Sequence, residues 1–281
     1  MTETGAEIKE IEPRAKILFL NVNPNSEPHT SAAQRMFGVN GSDIEEFKQM
    51  ALSVIKSPSK EEGLKLRERE AKSEIYLPEN VADFTAIVIL GSPFTAVPRE
   101  TEEGKLFVAN WKHDLIKFVQ SAHEKKVPIL GICFGSQIVA EALGGKAEKM
   151  EKNKWEVGFS KAVRLSASYG DPVMEGLPDE FVVPQNHADA VVRIPPGAVA
   201  LAENPKYGLE AFRLGKTWGF QFHPERSGKE VEEYLSKESS ITSLNKAGKN
   251  IEENKALGKG YSETVGTILS NFLRVAWNNV Q

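Results

Sequence analysis

Cys133 is the single cysteine in a chain of 281 residues. It stands in PILGICFGSQ, Pro128 to Gln137, with Gly131 and Gly135 two positions to either side. An apolar run that ends on a cysteine and passes into a helix places the sulfur at the helix N-terminus, where the positive end of the dipole favours a thiolate. Small flanking residues permit the tight strand-to-helix turn that holds a nucleophile up and lets backbone approach a substrate. The amide of Phe134, next along, would then point at a developing oxyanion. A lone cysteine in an apolar strand is by itself more often an inert core residue. The two glycines bring these readings level, and a base elsewhere decides between them.

Five histidines are available. His29 lies in a Pro/Asn/Ser-rich stretch, and His113 and His123 lie on a charged helical pattern, so all three read as surface positions. His223 ends the apolar run WGFQF, is followed by Pro224, and has Glu225 two residues on. A strand end aims the ring into the crevice outside the carboxyl ends of an open α/β sheet. A carboxylate two residues away can orient the imidazole and stabilise its charged form. Cys133, His223 and Glu225 thus have the types and order of nucleophile, base and orienter.

Such groups need strands that end along one edge. KILFLNVN, FTAIVILGSP and VPILGIC are short apolar runs bounded by turn residues, which read as buried strands. Helical stretches separate them. SDIEEFKQMALSVI has Ser42 as a cap with Ile44, Phe47, Leu52 and Ile55 near one face. WKHDLIKFVQSAHEKK repeats Trp111, Leu115, Phe118 and Val119, and GSQIVAEALGG ends on Gly144 and Gly145. After Gly145, EVGFSKAVRLS and GLEAFRLGKTWGFQFHP alternate like half-exposed strands, the second about a Gly-Lys turn. The expected fold class is α/β: an open, mostly parallel sheet with helices on both faces and a small antiparallel patch. Residues 1–14 read as a flexible tail and 15–281 as a single domain, with a core over 15–235, a mobile linker over 236–260 and a closing amphipathic helix over 262–277.

Composition excludes several classes. With 40% hydrophobic and 26% charged residues the chain can build a core. A net charge of -4 gives no basic face for nucleic acid. No window reaches the ~18 to 20 apolar residues of a membrane span, and the acidic start MTETGAEIKEIEPRAK is neither a secretory signal nor a transit peptide. One cysteine forms no internal disulfide and no cysteine-based metal cluster. These features indicate the cytoplasm or the nucleus. The mixed-sign run SKEEGLKLREREAKSE, Ser59 to Glu74, reads as a solvated helix.

GICFGSQ resembles the G-x-C-x-G-x-Q elbow of the class I, triad-type glutamine amidotransferases, and FQFHPE resembles their His-Pro-Glu motif, 90 positions on and in the family's order. The resemblance runs from about Lys16 to about Gly228. It takes in GSP at 91–93, where the family has a glycine-rich oxyanion loop, and QNHAD at 185–189, similar to a Ser-His-x-Asp stretch near the bound glutamine. NKWEVGF, Asn153 to Phe159, looks like the Trp-Glu-x-Gly segment of stand-alone members similar to the glutaminase domain of GMP synthase.

The resemblance implies a flavodoxin-like fold and a role for each matching residue. Cys133 would attack the γ-carbonyl of glutamine, His223 would act as base and Glu225 would hold its ring. Backbone amides of Gly91, Ser92 and Phe134 would form the oxyanion hole. Gln137 would hydrogen-bond the substrate, and Asn186 and His187 would hold its amino acid end. A γ-glutamyl thioester follows, and neither metal nor organic cofactor enters. Ser136 stands where many relatives have a larger residue, Ser92 where a second glycine is frequent, and the segment from His29 to Glu79 is longer than the expected connection. The 46 residues from Ser236 to Gln281 are too few for a synthetase domain. A separate acceptor enzyme would therefore take the ammonia, or no transfer occurs. A γ-glutamyl peptidase or tailoring hydrolase acting on glutathione-like conjugates uses the same triad. A silent binding protein on the same scaffold is the third reading, against which the intact Cys-His-Glu set argues.

Overall fold

Along β1 (Ala15–Asn21), Ile17 and Phe19 enter one apolar cluster while Leu18 and Leu20 enter another. β3 (Ala86–Ile89) divides Ala86 and Val88 from Ile87 and Ile89 in the same way, and β4 (Ile129–Ile132) divides Leu130 and Ile132 from Ile129. A strand that buries both faces must lie inside a sheet covered on both sides. The computed structural model describes residues 15–22, 47–53, 55–56, 66–100, 106–261 and 263–279. The tail expected over 1–14, His29 and the start of the expected first helix lie outside them.

The other strands of this sheet are β2 (Phe47–Ser53), β5 (Glu156–Arg164), β6 (Glu180–His187), β7 (Val199–Asn204), β8 (Gly208–Leu214) and β9 (Thr217–Phe220). The nine run in the order β6-β5-β7-β8-β9-β4-β3-β1-β2. From β9 to β2 neighbours are parallel, and from β6 to β9 they are antiparallel. The antiparallel part is therefore continuous with the parallel sheet through β9. A separate ribbon pairs Lys146–Lys149 with Asp189–Arg193.

The described helices are α1 (Leu66–Ala71), α2 (Asn110–Glu124), α3 (Phe134–Ala142), α4 (Gly228–Leu235), α5 (Glu238–Lys246), α6 (Ile251–Gly258) and α7 (Thr267–Asn278). α2 and α3 cover one face with Trp111, Leu115, Val119, Ile138 and Val139. α7 covers the other with Ile268, Leu269, Phe272 and Ala276, Phe272 meeting Trp218 edge-on at 6.0 Å.

Four segments differ from expectation. Phe47–Ser53, expected in a helix, is β2, paired in parallel with β1. Its apolar residues step by three, five and three from Ile44 to Ile55, which breaks helical spacing, and the sheet edge offers a full ladder of hydrogen bonds. Residues 236–260, expected as a mobile linker, hold α5 and α6. Leu244 packs there with Val157, Phe159 and Leu235. Asn254 accepts from Phe159 N at 2.9 Å and donates to Phe159 O at 2.8 Å, occupying the space that a side chain at Gly158 would need. The closing helix starts at Thr267, after a 3-10 turn over Glu263–Gly266. The charge run ending at Glu74 is also less solvated than expected. Glu70 of α1 is buried against Lys112 at 2.7 Å, and its carboxylate accepts from Thr95 N at 3.2 Å. A charge buried on a helix of mixed sign needs such a partner.

Candidate active site

Cys133 follows β4 and caps α3 with φ 53° and ψ -108°. Side chains rarely adopt that left-handed region, and holding one there costs about 1–3 kcal/mol. The surroundings enforce it. Cys133 N donates to Phe220 O at 2.8 Å, while Ser136 N and Gln137 N donate to the Cys133 carbonyl at 3.0 and 3.2 Å. Ser136 Oγ donates to the same carbonyl at 2.8 Å, so Ser136 braces the turn. A Cβ at Gly131 would lie 2.5 Å from Gly135 O, and one at Gly135 would lie 2.1 Å from Ile89 O. Both glycines answer to backbone: Gly131 to the first turn of α3, Gly135 to β3.

β4 lies between β3 and β9, so Gly91, Cys133 and His223 emerge side by side from the carboxyl ends of three adjacent strands. His223 N donates to Pro184 O at 2.9 Å, and Arg226 N donates to His223 O at 3.2 Å, which fixes the turn carrying the ring. His223 Nδ1 lies 2.6 Å from Glu225 Oε1. The ring is also hydrogen-bonded to the Cys133 side chain. Burial is the largest influence on the imidazole and pulls its pKa down. The Glu225 and Cys133 charges outweigh it and raise the pKa to about 9. Burial likewise pushes the Glu225 carboxyl up, and His223 then Arg226 outweigh it and hold it below the usual range. His223 and Glu225 thus form a charged pair beside the buried sulfur of Cys133.

Gly91 closes the crevice opposite the elbow. A Cβ there would lie 2.9 Å from His223 Cε1 and 3.6 Å from Cys133 Cβ. Ser92 Oγ donates to Val22 O at 2.9 Å and accepts from Phe94 N at 3.1 Å, so its hydroxyl fixes the turn to the end of β1. The helix-start amide of Phe134 precedes the intrahelical ladder and is free of it by geometry. The Gly91–Ser92 turn and the start of α3 thus flank the sulfur.

Asn186 presents its carbonyl oxygen 4.0 Å from Cys133 Sγ, and its Oδ1 accepts from Tyr234 OH of α4 at 3.2 Å. His187 turns inward, with Nε2 3.3 Å from Glu156 Oε2 and Nδ1 3.1 Å from Asp189 O. Gln137 Nε2 donates to the same Asp189 carbonyl at 2.7 Å and lies 3.4 Å from Gln221 Oε1. The amide nitrogen of Gln137 is therefore engaged with protein. The Asp189 carboxylate accepts from Thr95 Oγ1, joining the loop after Gly91 to the elbow helix. Asp189, Thr95 and Glu156 were not among the sequence-derived site residues. The available signal was a polar residue at a strand end inside QNHAD and NKWEVGF.

The family model for glutamine amidotransferase class-I matches residues 59–241. The chain belongs to that family of enzymes. As an amidotransferase it is 44% identical over 105 residues to the GMP synthase [glutamine-hydrolyzing] of Aquifex aeolicus (strain VF5), a match covering 37% of this chain and 20% of that protein. It is 33% identical over 118 residues to a protein of Methanococcus vannielii that is named as one subunit of GMP synthase [glutamine-hydrolyzing], covering 41% of this chain and 60% of that one. The chain thus spans less than two thirds of the length of these relatives. In fold it is similar to a glutamine amidotransferase from Thermotoga maritima, with a TM-score of 0.63 at 18% identity over 94% of this chain and 98% of that one. Among the described residues of this amidotransferase no helix is long and apolar enough to cross a membrane.

Proposed function

We propose that the enzyme hydrolyses the γ-amide of glutamine through Cys133, His223 and Glu225. The Cys133 thiolate attacks the γ-carbonyl carbon, and the carbonyl electron pair moves to oxygen. The amides of Phe134 and the Gly91–Ser92 turn receive that oxyanion, a contribution of about 3–4 kcal/mol for each effective donor. The His223 imidazolium passes a proton to the departing nitrogen. The C–N bond breaks, ammonia leaves and a γ-glutamyl thioester remains. Water then attacks the thioester carbon and gives a proton to His223. The C–S bond breaks, which releases glutamate and restores the thiolate–imidazolium pair. Glu225 keeps the ring oriented and its charge compensated in both halves. The Asn186 carbonyl suits the α-ammonium of the bound amino acid.

The hydrogen-bonded run from Glu225 through His223 to Cys133, at the carboxyl ends of adjacent strands, carries this reading. The kinship to proteins named GMP synthase [glutamine-hydrolyzing] supports glutamine as substrate. The Methanococcus vannielii relative is named as one subunit of its synthase, which supports a separate chain as acceptor of the ammonia. Residues 15–281 act as one domain, and the acidic composition with a single reduced thiol fits a cytoplasmic setting. The test is glutamate and ammonia release from glutamine and from a γ-glutamyl dipeptide, for wild type and Cys133→Ala. Release from glutamine by wild type alone is expected. Equal background from both proteins on glutamine sinks the reading, and turnover of the dipeptide alone moves it to a γ-glutamyl peptidase.

A further inference from the structure

Beneath Asn186–Asp189 lies a layer of polar side chains that the hydrolytic steps leave unused. Glu156 on β5 and Glu210 on β8 are each 1% exposed. Glu156 Oε1 accepts from Ser160 Oγ at 2.6 Å, and Oε2 faces His187 Nε2 at 3.3 Å. Gln185 Nε2 spans both Glu210 oxygens at 2.9 and 2.8 Å. The two carboxyl groups are themselves in hydrogen-bonding contact. Two carboxylates at that range in a dry interior cannot both be ionised, so they share a proton. Burial first, then the Glu156 charge, hold the Glu210 carboxyl well above its ordinary range. Burial pushes Glu156 the same way, but His187, Ser160 and Lys249 outweigh it and hold it below. The proton therefore sits on Glu210, which donates to Glu156. The other ionisable groups facing this layer are His187 from β6 and Lys249 from the turn between α5 and α6. Lys206, at the β7–β8 turn, faces Lys249, whose ammonium burial holds below its usual range.

We propose that the protonated Glu210 carboxyl is a positioning group for the amino acid end of the substrate pocket: it fixes Glu156, Glu156 fixes the His187 ring, and the ring sets the Asn186 carbonyl beside Cys133. The kinetic consequence rests on the glutaminase reading, and the structural consequence does not. Loss of the Glu210 proton puts two negative charges on one side of the layer and releases the clamp. KM for glutamine then rises at alkaline pH, a change separate from the fall in kcat that follows as the His223 imidazolium loses its own proton through about 9.

The experiment compares wild type, Glu210→Gln and Glu210→Ala across pH 6 to 10 by glutamine kinetics, with hydrogen exchange of the 180–190 segment alongside. Glu210→Gln, neutral at every pH, is expected to keep the wild-type KM near neutrality and to lose the alkaline rise. Glu210→Ala is expected to raise KM about tenfold with kcat within about threefold, and to speed exchange at 186–189. Should Glu210→Ala not fold, the pH profile and exchange of Glu210→Gln decide. A Glu210→Gln enzyme whose KM at neutral pH is raised about tenfold, or which keeps the wild-type alkaline rise, overturns the proposal. So does a folded Glu210→Ala with unchanged KM and exchange. If wild type releases no glutamate, the glutaminase reading fails. The exchange comparison then decides the clamp by itself: faster exchange at 186–189 in Glu210→Ala, or in wild type but not Glu210→Gln at alkaline pH, upholds it, and identical exchange refutes it.

Discussion

His223–Glu225 and His187–Glu156 are both buried histidine–glutamate pairs, and both follow or end strands that open on the Cys133 crevice. Their rings are used differently. His223 gives Nδ1 to its carboxylate at 2.6 Å and keeps its other nitrogen for the sulfur. His187 places Nδ1 3.1 Å from the Asp189 carbonyl and Nε2 3.3 Å from the Glu156 carboxylate, so both its nitrogens face protein acceptors. A histidine with one nitrogen left can move a proton, and one with none left can only hold a backbone in place. The same residue pair therefore makes a base in one position and a strut in the other.

The sharpest way to break this contrast is to remove the reacting groups. Cys133→Ala and His223→Ala should each lower glutamate release by about 10³-fold or more, with both proteins folded by circular dichroism. Iodoacetamide alkylation of the single thiol should be fast near neutral pH in wild type and slow in His223→Ala. Glu225→Gln should come next, at about 10²-fold in kcat, because the ring loses its charged orienter and the amide can impose the wrong tautomer. His187→Ala should act on KM instead, raising it about tenfold with kcat within about threefold. A kcat loss for His187→Ala equal to that of Glu225→Gln would erase the distinction between the two pairs.

The smallest signal is expected in stability. His223 has its folded pKa raised from 6.5 to about 9. The stability that its charge adds is fully present below pH 6.5 and is lost as pH rises through about 9. Urea midpoints should therefore fall between pH 7 and pH 9 in wild type, and the fall should be smaller and end at lower pH in Glu225→Gln, whose imidazole lacks its main counter-charge. Superimposable midpoint profiles for the two proteins would remove Glu225 as that counter-charge.

The relay was readable from the chain because most of its demands are local. Gly131 is imposed by the first turn of the helix that Cys133 caps, and Glu225 lies two residues from the ring it orients, while Gly135 answers to the Ile89 carbonyl of the neighbouring strand and is legible only as part of the spaced glycine pair. The buried strands were equally plain, since an apolar run of four to seven residues between turn residues has few other uses. What escaped depends on distant partners. Glu156 and Glu210 stand 54 positions apart and each reads alone as an exposed charge on an alternating strand. Asp189 matters only because folding brings Thr95 and Gln137 to its two ends. The polar texture of 236–260 hid two helices because few side chains, Leu244 and Asn254 among them, carry their packing.

The backbone of Cys133 has a consequence outside the chemistry. At φ 53° and ψ -108° a glycine would rest without the penalty that a side chain meets. Cys133→Gly is then expected to melt higher than the enzyme it disables. A dead protein sturdier than the live one is a practical reagent: it should hold glutamine uncleaved, and it would capture a separate ammonia acceptor beside it if the proposed function holds.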